Sequence, residues 1–169
     1  MTQLVHGNSE LRLAMNGLGS NICLVPTMGA LHDGHAALIA AGKEFVGKDL
    51  KLEKVLGENS KFTRYFVKYK SGELTISGIM NVPKGEGPFP TLVLAHGYID
   101  PAIYTTGRGL AREQKYLAER GYVVLHTDYR NHAESDDDPD NDFNLRLGYT
   151  EDVINAALDL KNSEFTFVD

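Results

Sequence analysis

Two short, continuously apolar runs, TLVLA at residues 91–95 and YVVLH at residues 122–126, constrain this chain more than anything else in it. Runs of that length without polar alternation suit strands buried on both faces, the situation of parallel strands covered by helices. Residues 109–120 between them carry a helical pattern that stops at Gly121. Strand, helix and strand at this spacing form a crossover and predict a doubly wound α/β sheet. Residues 63–70 and 74–82 read as antiparallel strands that turn at Ser71 and Gly72. Residues 83–90, with Gly85 and Gly87, read as a loop, and residues 131–146 as a polar, acidic one. A last helix is expected over residues 150–160, with Thr150 as cap, Glu151 and Asp152 in its first turn, and Ile154, Ala157 and Leu158 on its apolar side.

The chain before residue 60 has a different texture. A helix is expected over residues 10–18, capped by Ser9, with Leu11, Met15 and Leu18 on one face. Residues 21–25 read as a short buried strand ended by Pro26, and residues 35–41 as a helix weakened by Gly42. Residues 43–61 are rich in lysine and glutamate and are expected to form a short exposed helix or a linker, which makes them the natural junction. The 169 residues suffice for one α/β core and not for two complete α/β enzymes.

Residues 24–35 read LVPTMGALHDGH. His32 and His35 flank Gly34 at the mouth of the expected helix, where free N–H groups and the positive dipole end favour an anion. Two imidazoles there can hold a nucleotide's phosphates and stabilise charge as a phosphoryl bond breaks, while Gly29 and Gly34 allow close backbone approach. On the residues alone, a pair of surface histidines in a glycine-rich turn without a ligand is an equally good description. A zinc site is not expected, because only His32, Asp33 and His35 cluster locally.

With Glu10, Leu11, Arg12, Leu38 and Ile39, this motif makes residues 1–41 resemble the start of the pantoate–beta-alanine ligase family, and the His-x-Gly-His pair matches the wider nucleotidyltransferase signature. The resemblance implies an ATP-binding segment of Met28, Gly29, Ala30, Leu31, His32, Asp33, Gly34 and His35, with His35 as proton donor and Pro26, Thr27 and Met28 beside pantoate. After residue 42 the family's pattern does not continue: its later pantoate- and beta-alanine-binding segments and its lysine- and serine-containing phosphate loop have no counterpart here.

The run TLVLAHG ends in His96 and Gly97, followed by Tyr98, at a strand end where a backbone N–H can face a site and stabilise an oxyanion. A plain strand-to-helix turn, with Gly97 for flexibility, accounts for the same residues. Together with SGIMNVPKG, RGLAREQKYLAERG, YVVLHTDYRNHAESD and LGYTEDVINAALDLKNS, the run makes residues 59–169 resemble an α/β-hydrolase of the dienelactone-hydrolase and prolyl-oligopeptidase-like (peptidase S9) branch. The resemblance implies the Tyr98 N–H as one oxyanion donor and places Tyr129 and Arg130 in the loop after the next strand. That family's nucleophile stands in a G-x-S-x-G elbow, with its acid and histidine later in the chain. None of Ser9, Ser20, Ser60, Ser71, Ser77, Ser135 or Ser163 stands in such an elbow. His126 is expected to be satisfied at the end of a buried strand and His132 to lie on the surface. The acidic stretch at residues 134–142 departs from a calcium-loop spacing and is expected to be solvated.

With 17 basic against 23 acidic side chains, the net charge of −6 gives no basic footprint for nucleic acid. Cys23 is the single cysteine, so neither an intrachain disulfide nor a thiolate cluster can form. No apolar run approaches the ~20 residues of a membrane span, and the first residues lack a signal-peptide pattern, so a cytoplasmic protein is expected. The sequence therefore predicts a truncated, doubly wound α/β-hydrolase-type sheet over residues 59–169. A linker precedes it at residues 43–58, and before that stands a nucleotidyltransferase-type strand–turn–helix appendage at residues 1–42. The expected function is that of a hydrolase-like fragment without turnover, with a ligase fragment or a non-enzymatic binding or structural piece as alternatives. ATP at residues 28–35 is the one cofactor suggested, no metal is expected, and an unpaired sheet edge would favour self-association.

Overall fold

A computed structural model of the chain describes residue 45, residues 47–144 and residues 146–169. The expectations for residues 1–44, including the candidate ATP and pantoate residues from Pro26 to His35 and the apolar setting of Cys23, lie outside the described residues.

Five strands form one mixed sheet: β1 (Gly47–Glu58), β2 (Phe62–Ser71), β3 (Leu74–Pro83), β4 (Thr91–Leu94) and β5 (Val123–Thr127), in the spatial order β1-β2-β3-β5-β4. The hairpin between β2 and β3 closes with Ser71 opposite Leu74, and Gly72 takes the positive φ of +61° that the turn needs. β3 pairs antiparallel with β5, and β4 pairs parallel with β5 through a crossover that contains helix α1 (Ala111–Ala118). Helix α2 (Leu147–Asn162) follows the loop after β5 and packs mainly on β1 and β2. The parallel, doubly wound part of the expected sheet is thus the β4–β5 pair, and the rest is antiparallel.

Both apolar runs behave as strands covered on two faces. Leu125 joins Val67, Tyr69, Ile76, Met80, Val93, Val153, Ala156 and Leu160 in the core beneath α2, whereas its neighbour Val124 packs with Phe62, Leu94 and Ala118 beneath α1. Every residue of β5 is buried, which is why no alternation is visible there.

Three expectations change. Residues 43–61, expected as an exposed helix or linker, instead supply β1, whose partly buried Leu50 and Leu52 pack against the main core. Register shifts between Lys48 and Lys51, Leu52 and Lys54, and Val55 and Gly57 break the period of two that marks a strand in sequence. α2 begins at Leu147 after Arg146 in a left-handed conformation, so Thr150 is inside the helix and does not cap it. Its buried face is also displaced: Ile154, Ala157 and Leu158 are half-buried, while Asp152, Val153, Asn155, Ala156, Asp159 and Leu160 turn inward. Polar side chains on that inner face obscured the apolar stripe. Asp152 is paired with Arg130, and the Asn155 amide donates to Ser71 Oγ at 2.9 Å.

Candidate functional site

The carboxyl ends of β4 and β5 lie side by side, and the chain leaves each of them into a shared cavity. This cavity of about 140 Å³ is lined by His96, Gly97, Tyr98, Tyr129, His132, Arg146 and Tyr149. Such a crevice outside the ends of parallel strands is a common place for a ligand in open α/β sheets.

Asp128, the first residue after β5, fixes the frame. Its fully buried carboxylate accepts hydrogen bonds from Ser77 Oγ (2.6 Å), Tyr104 Oη (2.7 Å) and the Gly107 N–H (2.7 Å). These tie β3 and the loop after β4 to β5. Tyr129 then takes a left-handed φ of +70° and donates its phenol proton to the His96 carbonyl at 3.0 Å. The His96 ring is held between Tyr104 and Tyr129, with centroids at 4.9 and 4.4 Å. Burial pushes both phenols well above their ordinary titration range.

Arg130 is the charged anchor beneath the site. Its guanidinium reaches Asp152 at 2.8 Å, Asp138 at 2.8 Å and Glu151 at 3.3 Å, and the hydrogen bonds to Asp152 and Asp138 raise its pKa against the cost of burial. At the mouth, the Arg146 guanidinium stacks over the exposed Tyr98 ring at 4.4 Å and bonds Asp142 at 2.7 Å. Among the described residues, no acceptor takes the backbone N–H of Tyr98. Tyr98 itself lines the cavity.

The histidines depart from expectation. His132 is buried, not superficial, and its two ring nitrogens stand 2.9 Å from the carbonyls of Arg130 and Ile99. His126 is buried with neither ring nitrogen hydrogen-bonded, so it is not satisfied where β5 ends. Burial, then the His96 ring and Arg64, lower its pKa to about 3 and keep it neutral. Burial also lowers the His96 pKa, against the carbonyls of Gly97 at 2.6 Å and Asp128 at 3.4 Å that face its two nitrogens. None of these imidazoles has a ring nitrogen both exposed and free of a carbonyl, as a general base needs. The acidic stretch is likewise only partly solvated, because Asp138 belongs to the Arg130 cluster and Asp136 caps the Thr75 N–H at 2.7 Å.

The structure therefore brings together His96, Gly97, Tyr98, Tyr129 and Arg130, which the sequence reading had singled out. It adds Tyr104, Asp128, His132, Arg146 and Tyr149. For Asp128 and His132 the sequence signal was the dense run of aromatic, histidine and charged residues immediately after β5, which reads like an ordinary polar loop; Tyr104, Arg146 and Tyr149 come from separate segments and carry no local signal. No group of His, Cys, Asp or Glu among the described residues is arranged to hold a metal ion.

The family model for pantoate–beta-alanine ligase matches residues 3–48. The N-terminal segment resembles that ligase family. Pantothenate synthetase of Salinispora arenicola is 50% identical over 44 residues, which is 26% of this chain and 16% of that protein. The Dinoroseobacter shibae pantothenate synthetase is 46% identical over 52 residues, covering 28% and 18%. The chain thus spans less than a fifth of the length of these curated relatives. The remainder has a weak structural similarity to an esterase, the rice cell wall degrading LipA from Xanthomonas oryzae in a ligand-bound form. The overlay has a TM-score of 0.34 and 25% identity, and covers 74% of this chain and 33% of that one. No helix among the described residues is long and apolar enough to cross a membrane.

Proposed function

We propose that residues 47–169 are an α/β-hydrolase-type half-site, of ester- or peptide-cleaving ancestry, that performs no hydrolysis with the residues of this chain. One observation carries the reading. Tyr98, whose backbone N–H meets no acceptor among the described residues, lines a cavity whose described lining contains no serine, threonine or cysteine and no imidazole placed to act as base. An oxyanion donor without a nucleophile and base accelerates acyl transfer only weakly. The 169-residue chain is expected to show no steady turnover of p-nitrophenyl acetate and no labelling by a serine-directed fluorophosphonate. Turnover that the fluorophosphonate abolishes would overturn the proposal.

A second reading rests on the match of residues 3–48 to the ligase family. We propose weak binding of ATP or a polyphosphate at Met28, Gly29, Ala30, Leu31, His32, Asp33, Gly34 and His35, with pantoate contacts at Pro26, Thr27 and Met28. The sequence of this turn supports the reading, and the short match keeps the expected contacts few. Calorimetry with ATP tests it. Sub-micromolar affinity, or affinity unchanged when His32→Ala and His35→Ala are combined, contradicts it. If neither hydrolysis nor nucleotide binding is found, a non-enzymatic binding or structural role remains.

A further inference from the structure

The seam between β1 and α2 holds an arrangement that neither reading of function uses. Asp159 of α2 is 2% exposed, and its Oδ2 has no hydrogen-bond partner among the described residues. The donor to its carboxyl among the described residues is the backbone N–H of Leu50 on β1. One turn earlier on the same inner face, Asn155 gives its amide to Ser71 but leaves Oδ1 unbonded. Gly47 closes the seam. A Cβ there would collide with the backbone of Asn155 and Asp159, so β1 lies directly on the helix.

The surroundings disfavour a charge on Asp159. β1 brings Asp49 towards it, in a left-handed conformation at φ +68°, and β2 brings the buried Tyr69 phenol, itself pushed upward in part by Asp159. β4 has no titratable residue, and the His126 ring of β5 lies against His96, away from α2. Among the described residues no cation pairs with Asp159. A buried carboxyl with one donor, a nearby carboxylate and no counter-charge keeps its proton, and burial raises its pKa to about 7.

We propose that this seam is a proton-gated clasp: neutral Asp159 holds β1 on α2, and loss of the proton weakens the hold and loosens the strand. The residues matched to the ligase family end at residue 48, inside β1. The clasp therefore sets how firmly that segment's attachment point is fixed to the sheet, with a midpoint near neutrality. Folding raises this carboxyl's pKa, so the native chain binds more protons than the unfolded chain between about pH 4 and about pH 7. Its contribution to stability falls across that window as pH rises.

His126 titrates with the opposite slope, so the wild-type curve alone does not isolate Asp159. The test compares the full chain with Asp159→Asn, which keeps the shape and removes the titration. The wild-type melting temperature is expected to fall relative to the variant as pH rises from about 5 to about 8. Amide exchange, normalised to intrinsic rates, is expected to accelerate over residues 47–58 but not over residues 74–83 in the wild type only. A pH-independent difference in melting temperature, or equal acceleration in both segments, overturns the clasp. If the variant fails to fold, the side-chain carboxyl of Asp159 in the wild type decides by carbon-detected NMR titration. A midpoint in the ordinary carboxylate range overturns the proposal, and one near neutrality sustains it.

Discussion

Arg130 and Asp152 are joined twice, once through the side chain and once through the backbone. The guanidinium meets the carboxylate at 2.8 Å from Nη2 and 3.1 Å from Nε, and the backbone N–H of Arg130 donates to the same carboxylate at 2.9 Å. Asp152 is fully buried. The pair links the loop after β5 to the second turn of α2, and so fixes the floor of the cavity relative to the helix.

Breaking this pair from the Arg130 side leaves the fully buried Asp152 carboxylate without a counter-charge, at a cost of ~3–5 kcal/mol. Arg130→Met is therefore expected to lower folding stability by that order in urea denaturation at neutral pH. The double change Arg130→Met with Asp152→Leu should recover part of the loss, since it removes both charges. Asp138 and Glu151, each about a fifth exposed, remain solvated enough to lose Arg130 at small cost. A loss below about 1 kcal/mol in Arg130→Met would show that the guanidinium is not holding a buried carboxylate.

His126 makes the chain acid-sensitive. In the unfolded chain its imidazole takes a proton near the ordinary value of 6.5, whereas in the fold it does so only at about 3. The unfolded state then binds more protons between these values, so stability falls as pH drops through that window. His126→Leu removes this titration, so its urea midpoint is expected to rise relative to that of the wild type as pH drops from about 6.5 to about 4. Parallel curves for the two proteins would count against a buried neutral His126.

Gly107 offers a test of the loop that carries Tyr104 into the site. Its φ is +75°, its N–H donates to Asp128, and a Cβ would stand 2.5 Å from Ile79 Cγ1. Gly72 has a similar φ of +61° but open space around it. Alanine at Gly72 carries only the left-handed penalty of about 1–2 kcal/mol, and alanine at Gly107 adds a clash worth about 1–3 kcal/mol. Gly107→Ala is expected to be clearly the less stable of the two in thermal melts. Equal losses would mean that the loop yields without strain.

The parts of this fold that could be read in the sequence are those where one physical signal dominates. β4 and β5 are buried on both faces and spell it out in consecutive apolar residues, and the hairpin of β2 and β3 declares itself through Ser71 and Gly72. His96, Gly97 and Tyr98 were legible because they end such a run. β1 was not, because its register shifts scatter lysine and glutamate through the pattern. His132 was not, because it is buried through contacts with the carbonyls of Arg130 and Ile99, which no side-chain pattern announces. The inward face of α2 was misplaced for the same reason: Asp152 and Asn155 are inside because partners distant in sequence await them.

β1 also carries the prediction of self-association. It is the terminal strand of the sheet, twelve residues long, and pairs with β2 alone among the described strands. Val55 and Leu56 are 51% and 47% exposed on it. A long edge with free N–H and C=O groups and exposed apolar side chains is a template for pairing with another chain. The register shifts and the charges of Lys51, Glu53 and Lys54 oppose a flat, extended pairing, so association is expected to be weak and limited to small oligomers instead of fibres. At the other edge, the chain at Phe167 and Asp169 hydrogen-bonds to the carbonyl and N–H of Phe89, two residues before β4. Val55→Lys with Leu56→Lys should therefore shift the chain towards monomer in light scattering after size exclusion, with little change in melting temperature because both side chains are already in water. Association that persists undiminished in this variant would move the contact away from β1.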